Sequence, residues 1–238
     1  TDEMNTYARG RREQLVLHGL DGYGLKRASP SCGMERVKVY RGSDLLHTKG
    51  VGLFAQRLVE AAPTLPMEEE GRLNDPALRE NFIERVFCRN RWRTLIERGL
   101  TRGRLVDFHT AHKLLLWAHN EAGMMRLGRL LGDAGKTPDQ ELFDAYEVEL
   151  QSVMKSRATK KRHVNVLHHA LGYLKRVLDS KDKKEILLAV DDFGKGLLPL
   201  IVPVTLFRFN IRRHGIEYLL GQLYFDPHPR ELLLRNHV

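Results

Sequence analysis

Hydrophobic residues recur every three or four positions over most of the chain after residue 75, which is the spacing of amphipathic helices. The pattern predicts helices over residues 76–97, 101–119, 121–132, 137–155, 160–179, 182–195 and 200–213. The predicted helices are separated by the helix-breaking residues Gly99, Gly135, Pro138 and Pro199. We therefore predict an all-α helical bundle for this part of the chain.

The first third of the chain has a different pattern. Asp2 to Gly19 predicts an amphipathic helix that ends at Gly19. Tyr23 to Lys26 and Arg36 to Arg41 predict two short strands, and Val51 to Ala61 predicts a helix. This order indicates an α/β fold. The predicted fold class is thus an α/β N-terminal fragment plus a larger all-α helical bundle domain.

A proline-rich acidic stretch lies between the two patterns. Pro63 to Pro76 holds three prolines and the run Glu68-Glu69-Glu70. This composition is typical of a linker. We expect a partial α/β domain over residues 1–62, a linker over 63–75 and a basic all-α domain over 76–238.

The net charge of +9 on 238 residues is unevenly distributed. Residues 151–238 hold 16 Lys and Arg against 8 Asp and Glu, so this third alone carries +8. The excess favours a polyanionic partner such as nucleic acid, and ordinary solvated basic helices are the alternative. No apolar run reaches the roughly 18 residues that span a bilayer. Without a signal peptide or a disulfide framework, we expect a cytoplasmic protein with no membrane partner.

The most specific chemical signal is the loop Ser29-Pro30-Ser31-Cys32-Gly33, which lies between the two predicted strands. A thiol on such a loop, with cationic residues nearby, suits thiolate chemistry or metal ligation. An iron–sulfur cluster usually needs about three or four cysteines, and the sequence has only Cys32 and Cys88. Cys88 falls within a predicted helix and is expected to be buried and inert. Either Cys32 acts alone, or its partner cysteines lie upstream of Thr1.

The helical part contains basic and histidine-rich segments that suit phosphate contacts. His112 and His119 fall on an apolar stripe and are expected in the core, whereas His109 and Lys113 lie on a neighbouring face that could meet a phosphate. The candidate nucleic-acid-binding residues are Lys155, Arg157, Lys160, Lys161, Arg162, His109, Lys113, Asn165, His169 and Arg176. A merely solvated face is the alternative for the stretch 155–176. The sequence contains no P-loop, no GxSxG elbow and no HExxH zinc motif.

The segment Asp21 to Tyr40, with its Ser-Pro-Ser-Cys-Gly run and Val37-Lys38-Val39-Tyr40, resembles the last third of the thiouracil desulfidase (TudS-type) domain. The helical part resembles the domain often fused behind it in RudS-type enzymes, which remove sulfur from 4-thiouridine in tRNA. The motifs that carry this second resemblance are Gly99-Leu100-Thr101, Phe108-His109-x-x-His112-Lys113, His163-x-Asn165-Val166-Leu167-x-His169, Gly172-Tyr173 and Gly221-Gln222-x-Tyr224.

The resemblance implies an enzyme with a [4Fe-4S] cluster held by three cysteines, whose open iron takes the thiocarbonyl sulfur as a Lewis acid while water supplies oxygen. Cys32 matches the last cluster cysteine, and the other ligating cysteines are expected upstream of residue 1. Lys26, Ser29 and Ser31 match the flanking catalytic motif. Expected substrates are tRNA containing 4-thiouridine, or thiouracil-type bases. By itself this chain is expected to be incomplete and inactive.

Two other functions remain open at this point. One is a non-catalytic helical nucleic-acid-binding module that carries a remnant domain. The other is a desulfidase of free thiouracil bases, in which the helical domain would serve oligomerisation.

Overall fold

The computed structural model describes residues 6, 10, 19–133, 135 and 137–237. The chain divides into two compact units, Thr1–Asn90 and Arg91–Val238. The helix predicted from Asp2 to Gly19 falls almost wholly outside the described residues. No helix in the described part of the chain is long and apolar enough to cross a membrane.

The first unit is built around two small sheets. Strand β1 (Tyr23–Leu25) pairs in parallel with β4 (Met67–Glu69), and β2 (Val37–Arg41) forms an antiparallel hairpin with β3 (Asp44–Gly50). Helix α1 (Leu53–Ala61) lies between β3 and β4 in the chain. A parallel pair needs a crossover connection, and this one carries a helix, as in other α/β folds.

The core of the first unit forms where α1 meets the β1–β4 pair. Its buried side chains are Leu25, Phe54, Ala55, Leu58, Leu65 and Met67. Phe54 and Leu58 are four residues apart on α1, so they share the face that packs inward. Cys32 and Met34 pack against this core and are partly buried. The core therefore fixes the position of the loop that carries the thiol.

Residues 63–75 contain structure that differs from the predicted linker. Met67–Glu69 is β4, whose register with β1 pairs Tyr23 with Met67 and Leu25 with Glu69. A 3₁₀ turn at Arg72–Asn74 follows. The compact units divide at Asn90–Arg91, inside helix α2 (Pro76–Glu97). The sequence pattern missed β4 because a three-residue strand is too short to show an alternation.

The remaining helices belong to the second unit. They are α3 (Arg102–His119), α4 (Glu121–Gly132), α5 (Asp139–Lys155), α6 (Lys160–Leu174), α7 (Ser180–Lys195), α8 (Ile201–His214) and the short α9 (Glu217–Leu220). Helix α3 packs against α4, α5 and α6, and α7 packs against α6 and α8. The predicted fold class, mostly helical with a small α/β N-terminal part, is confirmed.

Local sequence signals set several helix ends. The hydroxyl of Thr101 accepts a hydrogen bond from the Arg104 N–H and caps α3, and Thr159 caps α6 through the Arg162 N–H. Helix α7 ends at Gly196, whose φ of 80° is the left-handed conformation that terminates helices. The core of the unit includes the fully buried Trp92, which stacks on Tyr146 with ring centroids 5.5 Å apart.

Candidate functional site

The loop Ser29–Gly33, which we call the cysteine loop, is a compact turn held by its own first residue. The Gly33 N–H donates to the Ser29 carbonyl at 2.9 Å. The Ser29 hydroxyl oxygen accepts from the backbone N–H groups of Ser31 and Cys32 at 3.4 and 3.3 Å. Ser29 therefore stabilises the turn through its side-chain hydroxyl, as serine residues commonly do in tight turns.

The cysteine loop also caps α1. No side chain caps this helix, and its first N–H groups instead meet loop carbonyls. Phe54 and Ala55 donate to the Ser31 carbonyl at 2.9 and 3.1 Å, and the Gly52 N–H donates to the Gly33 carbonyl at 2.8 Å. The loop carbonyls thus satisfy donors that a helix N-terminus leaves free, and they face its positive dipole end.

Gly52 makes this close approach possible. A Cβ at this position would lie 2.4 Å from the Ser31 carbonyl oxygen and 2.7 Å from the Cys32 nitrogen. Both neighbours are backbone atoms, which cannot move aside as a flexible side chain can. The sequence analysis missed Gly52 because it placed this residue inside the helix predicted from Val51, whereas a glycine in the first turn of a predicted helix is the signal that would have found it.

Two carboxylates from the acidic run hold the chain on either side of the cysteine loop. Glu69 is 3% exposed and its Oε1 accepts from the Met34 N–H at 2.8 Å. The Glu70 Oε2 accepts from the Arg27 N–H at 2.6 Å. The pKa of Glu70 is lowered, because hydrogen bonds from Arg27 and Lys26 outweigh the effect of desolvation, which raises it. The acidic run is thus part of the loop's support.

Three polar side-chain atoms form a chain in the cysteine loop. The Ser29 and Ser31 hydroxyl oxygens are 3.1 Å apart, and the Ser31 oxygen is 3.3 Å from the Cys32 Sγ. The Cys32 side chain is half-buried, whereas Cys88 in α2 is fully buried. The structure therefore brings together three of the four residues predicted for this site, with the thiol at the end of a hydroxyl pair.

The fourth predicted residue, Lys26, lies on the surface. Its side chain is 76% exposed and its Nζ is 3.4 Å from the Glu70 Oε1. The loop is flanked by Ala28 and Arg36, both in the left-handed backbone region with φ of 53° and 58°. Residues with a Cβ adopt this region at a cost, and such strain concentrates at functional sites.

His112 and His119 are core residues in the second unit, as predicted. They are 1% and 0% exposed, and their Nδ1–H groups donate to the carbonyls of Phe108 and Ser156, both at 2.7 Å. Burial lowers the pKa of His112 to about 3, against the hydrogen bond with Phe108, which raises it, and the charge of Arg91 lowers it further. Its imidazole is therefore neutral near neutral pH.

His109 departs from the predicted phosphate-binding role. It is 8% exposed and its Nδ1 lies 3.0 Å from the Tyr146 hydroxyl. Burial, followed by the charge of Lys113, lowers the pKa of His109 to about 4, so the imidazole carries no positive charge near neutral pH. Helical periodicity placed it beside Lys113, but that pattern did not show that a tyrosine of α5 covers it.

The other predicted nucleic-acid-binding residues occupy one continuous stretch and one helix beside it. Residues 155–176, which we call the basic stretch, contain seven Lys and Arg and no Asp or Glu. The side chains that are exposed are Lys113, Lys155, Arg157, Lys160, Lys161, Asn165, His169 and Arg176. Arg162 is half-buried, and its Nη1 donates to the His119 carbonyl at 2.6 Å, so it also supports the fold.

The two units thus offer different chemistry. The α/β unit carries the Cys32 thiol, and the helical unit carries the basic stretch, whose Lys and Arg have no Asp or Glu among them. Residues 1–70 match the family model of 2-thiouracil desulfurase, and residues 113–229 match the model of DUF1722, a protein family of unknown function. The two matches, a 2-thiouracil desulfurase model at the N-terminus and a DUF1722 model over the helical part, fit the architecture that the TudS/RudS-type resemblance predicted. The desulfurase family points to thiouracil desulfurase activity.

One curated relative comes from Escherichia coli (strain K12) and is described as uncharacterized protein YbgA. It is 29% identical over 158 residues, which is 66% of this chain and 94% of the relative. No solved structure is significantly similar to the chain.

Proposed function

We propose that this chain belongs to an iron–sulfur-dependent enzyme that converts 4-thiouridine in tRNA to uridine. The observation that carries the proposal is the cysteine loop, where a half-buried thiol lies 3.3 Å from the second of two paired hydroxyls. The match to 2-thiouracil desulfurase over residues 1–70 supports the reaction class. The proposal places the protein in the cytoplasm, where tRNA is found and thiols stay reduced.

The proposed reaction is a hydrolysis. A new bond forms between the ring carbon and the water oxygen, and the bond between that carbon and sulfur breaks. The two protons of water leave with the sulfur as H₂S, and no electrons are gained or lost. The enzyme must therefore hold the base, deliver water to its carbon and stabilise the departing sulfur.

The resemblance to TudS-type proteins suggests a [4Fe-4S] cluster, and Cys32 fits one position of its ligand set. Its thiol is half-buried on a hydrogen-bonded loop, which suits metal ligation. The only other cysteine of this sequence, Cys88, is fully buried in α2. The two cysteines do not amount to the three thiolates of such a cluster, so we propose Cys32 as one ligand of a larger set. When bound, the cluster would supply Lewis-acid activation of the thiocarbonyl group.

The hydrogen bonds of the cysteine loop suggest which hydroxyl group donates its proton to which acceptor. The Ser29 oxygen already accepts two backbone N–H bonds, which uses both lone pairs of a hydroxyl. Its own O–H is then the donor to Ser31, 3.1 Å away. This leaves the Ser31 O–H to donate to the Cys32 sulfur, or to a water molecule or substrate beside it. Ser31 is thus the better candidate for direct contact with the reacting groups, and Ser29 for holding it.

The choice of tRNA over a free base is supported by the basic stretch. A free thiouracil base has no phosphate, so its enzyme needs no cationic surface. A folded RNA is bound mainly through its phosphates, for which exposed Lys and Arg are the usual partners. Seven such residues without an intervening carboxylate, most of them exposed, favour the RNA substrate.

The proposal is tested with the purified full-length protein under anaerobic conditions. Iron and acid-labile sulfide are measured first, and sulfide release is then followed with 4-thiouridine-containing tRNA and with free 2-thiouracil. We expect about four irons per chain and faster release from tRNA. Release from the free base alone would favour a free-base desulfidase. A protein that binds tRNA but holds no iron and releases no sulfide would be a non-catalytic binding module.

A further inference from the structure

Four aromatic rings from three helices form a continuous row on the second unit. Trp117 of α3 contacts His169 of α6 with ring centroids 4.7 Å apart, and His169 contacts Tyr173 at 5.5 Å. Tyr173 in turn stacks on Tyr218 of α9 at 4.7 Å, with the ring planes 25° apart. We call these four residues the aromatic ladder.

The aromatic ladder lies at the surface. Tyr173 keeps 41% of its surface exposed although one of its faces is stacked on Tyr218, and His169 is also exposed. Trp117 and Tyr218 are half-buried. A single exposed aromatic residue needs no explanation, but a connected set of four rings that meets solvent is typical of a binding surface.

The charges around the aromatic ladder indicate what it binds. His169 and Tyr173 belong to the basic stretch, which contains no carboxylate. Lys113, one helical turn from Trp117, is exposed and close enough to His169 to lower its pKa, although burial is the larger cause. Aromatic faces combined with cations are the combination that binds single-stranded nucleic acid, since bases stack on the rings and phosphates meet the cations.

Two rings of the aromatic ladder have pKa values shifted in the direction that favours the uncharged form. The pKa of His169 is lowered, and burial, together with the neighbouring Tyr173, raises the pKa of Tyr218 to about 12. An uncharged imidazole or phenol can stack on a base without losing the hydration of an ion.

Gly172 leaves room for a ligand next to the aromatic ladder. It lies inside α6 and is exposed, and a Cβ there would have no atom within 4 Å. Glycine weakens a helix interior, and no neighbouring group in the described part of the chain requires one here. A missing side chain beside Tyr173 would let a nucleotide come close to the helix backbone.

We propose that the aromatic ladder stacks an unpaired base of the RNA, with Lys113 and Arg176 placed to meet the adjoining phosphates. The base must be unpaired, because bases inside a helix already have both faces stacked. The inference rests on the proposed function in one respect, namely that RNA is the substrate. It adds a second binding site, separate from the cysteine loop, that would bind an RNA loop or a single-stranded end with little sequence preference.

The test uses the full-length protein with two fluorescently labelled probes, unmodified tRNA and a single-stranded RNA of about 12 nucleotides. Affinity is measured over a range of salt concentrations for the wild type, Tyr173→Leu and Tyr173→Phe. Leucine keeps an apolar contact with Tyr218 but has no aromatic face, whereas phenylalanine keeps the ring. Gly172→Gln is a second variant whose side chain enters open space and does not disturb the packing.

We expect Tyr173→Leu to weaken binding of the single strand by about 5- to 100-fold and Tyr173→Phe by less than about twofold. The salt slope stays unchanged in both, since no phosphate contact is lost. Gly172→Gln weakens binding as well. If all three variants bind both probes as the wild type does, the aromatic ladder is not a base-stacking site, and the tRNA desulfidase proposal is unaffected. If the wild type binds neither probe, the inference fails together with the RNA substrate of the proposed function.

Discussion

The buried carboxylate of Glu69 accepts a hydrogen bond from the backbone N–H of Met34 at 2.8 Å, although the two residues are 35 positions apart in the sequence. Met34 directly follows the cysteine loop, and Glu69 is the last residue of β4. The parallel pairing of β4 with β1 brings the carboxylate to this place. Thus a strand that the sequence pattern did not reveal holds one end of the loop that carries the candidate site.

Removing this carboxylate should loosen the cysteine loop. Glu69→Ala leaves the Met34 N–H without its partner, and we expect a loss of about 1–3 kcal/mol in the free energy of unfolding. In the cluster-free protein, the Cys32 thiol should also react faster with a thiol reagent under native conditions, while the buried Cys88 stays protected. The matched control is Glu60→Ala, which removes an exposed carboxylate of α1 that pairs with Arg57. Equal Cys32 reactivity in both variants would contradict the claim that Glu69 holds the end of the cysteine loop.

Gly52 should not tolerate even a methyl group. The Cβ of Gly52→Ala would lie 2.4 Å from the Ser31 carbonyl oxygen, so either the loop or the start of α1 must shift. We expect a loss of about 1–3 kcal/mol in the free energy of unfolding, measured by urea denaturation. Gly24→Ala is the control, because nothing lies within 4 Å of its Cβ and its φ is not positive. Similar stability of the two variants would mean that the loop does not need this close approach.

The buried His112 should make the helical unit less stable in acid. Its folded-state pKa is about 3, against an ordinary value of 6.5, so the unfolded chain binds more protons between these values. Stability from this residue is therefore complete above about pH 6.5 and is lost as the pH falls, by about 1–2 kcal/mol on reaching about pH 5. His112→Asn keeps a donor for the Phe108 carbonyl and removes the titration.

We expect His112→Asn to lose less stability than the wild type between about pH 7 and about pH 5. Urea unfolding followed by tryptophan fluorescence reports on this region, since Trp92 packs on Phe108, which in turn stacks on His112. The control His168→Asn makes the same change at an exposed histidine of the second unit. An unchanged pH dependence in His112→Asn would show that protonation of His112 does not cause the loss of stability in acid.

Charge reversal at the start of α6 should weaken tRNA binding without harming the fold. Lys160→Glu with Lys161→Glu places negative charge in the first helical turn, where the helix dipole favours it. We expect an affinity loss of at least about 10-fold and a salt slope lower by about one to two. The control pair Lys181→Glu with Lys183→Glu makes the same change in the first turn of α7, outside the basic stretch. Equal losses in the two pairs would indicate a diffuse charge effect.

The helices of the second unit could be predicted from sequence because their signals are local. The pattern predicted 76–97 and 121–132, which are the observed bounds of α2 and α4. The resemblance to TudS-type domains indicated Cys32, Ser29 and Ser31 as one site, and these three residues lie within four positions of the sequence. In contrast, β4 and the hydrogen bond between Glu69 and Met34 depend on a pairing between distant segments, for which the local sequence has no signal.

For His109, the sequence predicted the neighbour along the helix correctly but not the burial of the side chain. Periodicity correctly placed it next to Lys113, but its exposure was decided by Tyr146, 37 residues away. The aromatic ladder was missed for a similar reason. Trp117 and Tyr218 reach the face of α6 from other helices, so only their spatial arrangement with Tyr173 shows a shared surface.

The most direct test of the account is the desulfuration of 4-thiouridine-containing tRNA by full-length Cys32→Ala and Cys88→Ala, with iron content measured in the same samples. The account predicts that Cys32→Ala loses both sulfide release and most of its iron, because the thiol of the cysteine loop is a cluster ligand. Cys88→Ala, which changes a buried helix residue, should retain both. Unchanged desulfuration by Cys32→Ala would contradict the central claim.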